Sequence, residues 1–379
     1  MVPTRFSSAP RHPWWSHPGR ALTLALTLAG VASLTVGCTA SDLDSSGETP
    51  EGADGVLSSR PDSSLVWPST IDDAVARGWL LPAAATLETI NDLPRDPLGE
   101  DVHDDPYTAE QIRQGYRIFR NSTELAAEFS GNDMDCSSCH LNGGQKVEAL
   151  PLVGVSGLFP QYRNRDAALV SLEERIRGCF IRSMNGTAPP FDHPVTLALS
   201  AYIHWLSEGV PTGVSPPWRG LNRIPQEARI PIDEVDLAQG KVLYEEQCAA
   251  CHGLDGIGFN LGGLAEHASL WHKCSWNDGA GAARIWRLAG FIRYAMPLTA
   301  PGSLSDEEAQ HISAWINAHD RPVFPSKATD FPAGGRPGDA VYDTLVFPTH
   351  PLKSRRVAGD GPGDGASIDH TGPGDAARR

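Results

Sequence analysis

Two stretches of this chain combine thiols and imidazole at a fixed spacing: Cys136-Ser-Ser-Cys139-His140 and Cys248-Ala-Ala-Cys251-His252. Cys-x-x-Cys-His is the arrangement that holds a c-type haem. The two thiols add to the porphyrin vinyl groups, one helical turn brings both sulfurs to one edge of the ring, and the adjacent His turns its imidazole onto the iron. With seven Cys and 13 His in 379 residues, such a motif arises by accident with an expectation on the order of 0.004. A zinc site would bring two Cys-x-x-Cys elements into one small domain, whereas these lie 112 residues apart, each with its own His. A thioredoxin-type redox pair would need a β-α-β context, which is missing. The motifs predict two covalently attached haem c groups, with His140 and His252 as iron ligands.

The opposite ligand decides what each iron can do. Forty-four residues after His252, Tyr294-Ala295-Met296-Pro297 precedes a last helical pattern. A thioether from Met296 would make a His/Met centre, which favours the reduced state and suits electron transfer. Pro297 argues for a loop there rather than for Met296 as helical core filler; His272 and Cys274 are rival ligands. No Met-Pro follows His140. The region 175–186 (RIRGCFIRSMNG) instead offers two soft ligands, Cys179 and Met184. A thiolate from Cys179 would stabilise ferric iron and lower the potential, and Arg175, Arg177 and Arg182 beside it favour thiolate over thiol. The alternative is an inert buried thiol. Residues 161–186 carry five Arg (163, 165, 175, 177, 182) against Asp166, Glu173 and Glu174, a local +2 in an acidic chain. That is either a solvated helix face with ion pairs or an anion pocket beside the first haem.

The elements that must position these groups occur twice. Gln114-Gly115 opens QGYRIFRN and Gln239-Gly240 opens QGKVLYEE, each with an aromatic four residues after the Gly, and each leading into a Cys-x-x-Cys-His motif. Each copy closes on a helical pattern: 196–208 with Leu199, Tyr202, Ile203 and Leu206, and 305–318 with Ile312, Trp315 and Ile316. Ser305 and Glu308 are spaced as a capping box. Residues 214–231, with four Pro, separate the copies. The expected fold class is all-α: two fused cytochrome c-type domains, each with one covalently bound haem. Residues 67–218 form domain 1 with the catalytic haem and 219–328 form domain 2 with the electron-transfer haem. Residues 329–379 form a C-terminal extension, disordered from Lys353. The stretch 67–106, with Trp67, Trp79 and Leu80, is expected to pack on domain 1.

Arg5, Arg11 and Arg20 precede an apolar run from Ala21 to Gly37, so 1–37 reads as an export signal. Leu34-Thr35-Val36-Gly37-Cys38 is similar to a bacterial lipoprotein box, with Cys38 as the acylated residue; cleavage nearby, as after Ala40, is the alternative. Residues 38–66 are polar and read as a flexible tether. The prediction is a periplasmic protein that meets the membrane only through a lipid anchor at Cys38. The formal charge of −15, −18 without the leader, argues against a general nucleic-acid binder.

Cys-x-x-Cys-His-Leu-Asn-Gly-Gly, followed by PLVGVSGLFPQYRNR, RIRGCFIRSMNG and GFIRYAMPL, resembles the dihaem thiosulfate dehydrogenase family over roughly residues 107–330. The resemblance implies two fused cytochrome c domains and the reaction 2 S₂O₃²⁻ → S₄O₆²⁻ + 2 e⁻, or its reverse. It implies Cys179 as distal ligand of the first haem and catalytic thiolate. Arg165, Arg175 and Ser183 would line the substrate pocket, and Met296 would be distal ligand of the second haem. A periplasmic acceptor such as a cytochrome would take the electrons. Some members carry a Lys beside that Met; here the neighbour is Ala295, which implies a plain His/Met centre. Two rivals from other classes are a dihaem electron carrier using Met184 and a dihaem peroxidase with an open distal site.

Overall fold

The computed structural model describes residues 67–85, 93–258 and 268–340. The export signal, the lipoprotein box, the tether and the tail from residue 341 lie outside the described residues.

In chain order the helices are α1 (Ile71–Ala76), α2 (Pro106–Arg120), α3 (Ser122–Leu125), α4 (Leu141–Gly144), α5 (Leu172–Arg182), α6 (Pro194–Trp205), α7 (Leu237–Gln247), α8 (Ala249–His252), α9 (Ile285–Ala295) and α10 (Asp306–Ala318). Their starts follow from local chemistry. Asp105 accepts from the Thr108 N–H with Pro106 next in line at the head of α2, and Asp236 accepts from Ala238 and Gln239 at α7. Ser171 with Glu174 at α5 and Ser305 with Glu308 at α10 form reciprocal capping boxes. Each such pair satisfies two donors that the first turn leaves without helical partners.

The repeat in the sequence is a repeat of helix crossings. α2 crosses α6, and α7 crosses α10, which also packs on α9. The repeated glycines sit at the crossings: a Cβ on Gly115 would overlap the Ala198 carbonyl, and one on Gly240 would overlap that of His311. Only glycine lets the two backbones approach so closely. Two cores form behind these crossings. Ile112, Phe119, Phe180, Leu199 and Tyr202 fill the first; Tyr244, Trp271, Trp276, Ile312 and Trp315 fill the second. The stretch from Trp67 closes the first core, its indole 5.3 Å from that of Trp218, while Leu81 N–H donates to the Gln145 carbonyl.

The helix-rich expectation agrees with this architecture, with one addition. Strands β1 (Gln161–Arg163) and β2 (Ala168–Val170) form a short antiparallel ribbon, Tyr162 opposite Leu169. Three residues per strand carry too little alternation to register as a period. The C-terminal extension is described as far as residue 340. Residues 330–340 form a strap across both cores: buried Asp330 binds Arg182, and buried Asp339 binds Arg284 at the start of α9.

Candidate functional site

Both Cys-x-x-Cys-His motifs fold into tight turns. Asp135 and Ser138 cap the first, and the His140 N–H donates to the Cys136 carbonyl at 3.0 Å, as His252 does to Cys248 at 2.9 Å. His140 Nδ1 lies 2.6 Å from the Leu150 carbonyl and His252 Nδ1 3.0 Å from that of Ala268. A ring that donates from Nδ1 presents the Nε2 lone pair to a metal. Burial pushes the His140 imidazole down to about 4, so the ring is neutral, as ligation needs. Burial also pushes the Cys136 and Cys139 thiols up to about 12, and the Cys179 sulfur is close enough to add to both shifts. The Cys179 sulfur thus lies within electrostatic reach of the first attachment motif. Cys248 is likewise raised to about 12 by burial, and Cys251 is exposed.

The surroundings fit a porphyrin. Among the described residues, His272 Nε2, Ser275 Oγ and Trp276 Nε1 in one loop, and Asn142 Nδ2 next to the first motif, are buried polar atoms with no hydrogen-bond partner. Buried donors of this kind are rare without a partner, and haem carries two carboxylates that accept. Residues 134 and 139 of domain 1 pack against the second core, Met134 fully buried in it, so the two attachment regions share a boundary. Among the described residues no group of three or more His, Cys, Asp or Glu is placed to hold a metal ion.

Helix α5 carries the remaining chemistry. Arg175 lies one turn before Cys179 on the same face and donates from Nη1 to its sulfur at 2.8 Å. Gly178 leaves room for Arg163, whose Nη1 would lie 3.5 Å from a Cβ there; Arg163 is paired with Asp166 at 3.2 Å. The Arg163 guanidinium is pushed down by burial and then by Arg175. The other flanking arginines turn away. Arg177 donates to the Pro189 carbonyl and stacks 3.8 Å over Phe191. Arg182 is buried in a two-pronged pair with Asp330 at 2.7 and 2.8 Å. Of the three arginines expected to act on Cys179, only Arg175 touches it. Spacing along the chain counts neighbours that a helix spreads over different faces.

Arg165 is buried, donates to the Gly279 carbonyl at 2.6 Å and faces Asp330 at 3.7 Å, so it also ties domain 1 to domain 2. Ser183 closes α5, its N–H on the Cys179 carbonyl at 2.8 Å, and is half-buried. Met184 is packed in the first core. In domain 2, Met296 ends α9 and is half-buried. Cys274 is raised chiefly by burial and hydrogen-bonds with Asp133 of domain 1. Sequence reasoning did not find Arg287, on the first turn of α9. It is exposed, and its guanidinium is pushed down to about 10 by desolvation and then by Arg284, Arg165 and Arg175, with Asp339 acting the other way. A lone Arg on a helical pattern 108 residues beyond Cys179 gives no sign of this.

Comparison with known proteins agrees with this layout. Residues 126–212 match the family model described as SoxA/TsdA, cytochrome c domain. Residues 235–316 match that described as cytochrome C oxidase, cbb3-type, subunit III. The chain is 46% identical over 216 residues to the thiosulfate dehydrogenase of Stutzerimonas stutzeri (strain A1501), covering 57% of this chain and 69% of the relative. It is 40% identical over 226 residues to that of Allochromatium vinosum, covering 58% and 82%. A solved structure of thiosulfate dehydrogenase (TsdBA) from Marichromatium purpuratum, in its as-isolated form, aligns with a TM-score of 0.56 at 35% identity, over 61% of this chain and 50% of that one. The chain belongs to the thiosulfate dehydrogenase family.

Proposed function

We propose that this protein is a dihaem oxidoreductase that couples two thiosulfates into tetrathionate at a first haem held by His140 and Cys179. Electrons then leave through a second haem held by His252 and Met296 to a periplasmic acceptor such as a cytochrome. The observation that carries the reading is the 2.8 Å contact between Arg175 and Cys179, within electrostatic reach of the first attachment motif.

The haems supply one-electron acceptors, two of which take the pair of electrons released per tetrathionate. The chain's own residues do the sulfur chemistry. The Cys179 thiolate and one thiosulfate join through a sulfur–sulfur bond with loss of two electrons: Cys–S⁻ + S₂O₃²⁻ → Cys–S–S₂O₃⁻ + 2 e⁻. A second thiosulfate attacks that adduct, forms tetrathionate and returns the thiolate: Cys–S–S₂O₃⁻ + S₂O₃²⁻ → Cys–S⁻ + S₄O₆²⁻. The obstacle is charge. Two unit charges at 4 Å repel by about 4 kcal/mol at an effective dielectric of about 20, and two dianions by on the order of 16 kcal/mol. Arg175, with Arg163 behind Gly178 and Arg165 at the domain boundary, offsets that repulsion. A guanidinium also offers a planar fork to sulfonate oxygens. Cys179 is favoured over Met184 as the soft ligand because a thioether has no charge for Arg175 to stabilise and cannot form a sulfur adduct of this kind.

The test is thiosulfate-dependent reduction of ferricyanide by the purified protein, with tetrathionate identified as product. Ferricyanide left unreduced, with both haems attached, would leave only an electron carrier.

A further inference from the structure

We infer that Asn277, from domain 2, is a positioning residue for Cys179, fixing the last turn of α5 from outside domain 1. This rests on the reading above, in which the Cys179 sulfur does the chemistry. Cys179 lies in the final turn of a helix that ends at Arg182, and the last four carbonyls of a helix lack helical partners. Each of the four on α5 has a donor. The Cys179 carbonyl accepts from the N–H groups of Ser183 at 2.8 Å and Met184 at 3.0 Å, and that of Phe180 from Gly186 at 2.9 Å. The other two go to one residue of domain 2. Asn277 Nδ2 donates to the Ile181 carbonyl at 2.8 Å, and its backbone N–H donates to the Arg182 carbonyl at 3.2 Å. Nδ2 also donates to Asn185 Oδ1 at 3.1 Å, just beyond the helix.

Asn277 is itself held in place. It is buried, its Oδ1 accepts from the Gly279 N–H at 3.1 Å, and the Gly279 carbonyl accepts from Arg165 and Arg182 of domain 1. Trp276, one residue earlier, is packed in the second core. The end of α5 is therefore registered against the body of domain 2, where an uncapped last turn would fray. The chain leading to Cys136 grips it from the other side. Asn132 Nδ2 donates to the Ser183 carbonyl and the Gly131 N–H to that of Met184, both at 2.9 Å. Cys179 thus sits on a turn clamped between the approach to the first attachment motif and a loop of domain 2. A sulfur that must stay aimed at an iron, take up a substrate and return needs that register, because a displacement of about 1 Å can cost on the order of 100-fold in rate. An isosteric carboxylate cannot replace the amide: it has no N–H, so both donated bonds become contacts between acceptors.

The test compares the holoprotein with Asn277→Asp and Asn277→Ala in thiosulfate-dependent ferricyanide reduction, with the ferric spectrum and midpoint potential of each haem and the melting temperature measured on all three. A wild-type protein that leaves thiosulfate unoxidised overturns the underlying reading, and this inference with it, before any variant is compared. Given wild-type turnover, Asn277→Asp is expected to lower kcat about 10- to 100-fold and to shift the spectrum and potential of the first haem, with the second potential unchanged. Asn277→Ala, which removes the side-chain donors without adding a charge, should change both in the same direction by less. It decides the matter alone where Asn277→Asp does not retain both haems. A lower melting temperature with kcat and the first haem as in wild type overturns the inference, because Asn277 would then only join the domains. Either change without the other overturns it as well: a lower kcat with the first haem intact would put Asn277 in electron transfer between the domains.

Discussion

Arg175 and Cys179 are joined by a 2.8 Å hydrogen bond along one face of α5, the guanidinium one turn before the sulfur. A donor–acceptor contact to a charged group contributes about 1.5–3 kcal/mol. Arg175→Gln should therefore lower kcat/KM for thiosulfate by about 10- to 100-fold, with both haems still attached, and Arg175→Lys should fall less. Steady-state kinetics on holoprotein of verified haem content decides it.

Asp330 serves two guanidiniums of domain 1, Arg182 at 2.7 Å and Arg165 at 3.7 Å. Removing one partner of a buried pair costs about 3–5 kcal/mol, because the other charge stays buried. Asp330→Asn strands two cations and Arg182→Met strands one carboxylate that still has Arg165. The expected order of melting temperature is wild type, then Arg182→Met, then Asp330→Asn. Equal melting temperatures would mean the strap is not held by charge.

Gly115→Ala and Gly240→Ala each force a methyl into a backbone carbonyl at a helix crossing. Backbone has little room to yield, so each change should cost about 1–3 kcal/mol or more and lower the melting temperature. A variant that melts with wild type would show that its crossing can open freely.

These crossings were legible in the sequence because Gln-Gly before an aromatic recurs at equivalent places in both copies, and packing at a crossing imposes glycine. The haem motifs were legible for a similar reason: covalent geometry fixes their spacing. The pocket was only partly legible. Arg175 lies on the face of α5 that carries Cys179, which an i, i+4 spacing announces; Arg177 and Arg182 do not, and bind Phe191 and Asp330 instead. The strap aspartates Asp330 and Asp339 reach Arg182 and Arg284 through tertiary contacts from far along the chain, and no local pattern encodes those.

Ser305 and Glu308 at the head of α10 give a pH dependence with a definite sign. The Ser305 backbone N–H and hydroxyl hold the Glu308 carboxyl below its ordinary value of 4.5. The folded value is the lower one, so the stabilisation is complete above pH 4.5 and fades as pH falls through the folded value. Wild type should exceed Glu308→Gln in melting temperature at neutral pH, and the two should converge in acid. Ser305→Ala should cost about 1 kcal/mol at neutral pH.

Met296 closes α9 ahead of the last helix. If its thioether holds the second haem, Met296→Ala should lower one midpoint potential and leave the other unchanged, since loss of a thioether ligand removes a preference for ferrous iron. Redox titration separates the two haems. Two unchanged potentials would assign the ligand elsewhere, with His272 first in line.

The central claim is that sulfur chemistry runs on Cys179, and the most direct measurement is the rate of thiosulfate oxidation by Cys179→Ala holoprotein. The account predicts that turnover is abolished while both haems remain covalently attached and the second potential is unchanged. Tetrathionate formed at the wild-type rate by that variant would contradict it.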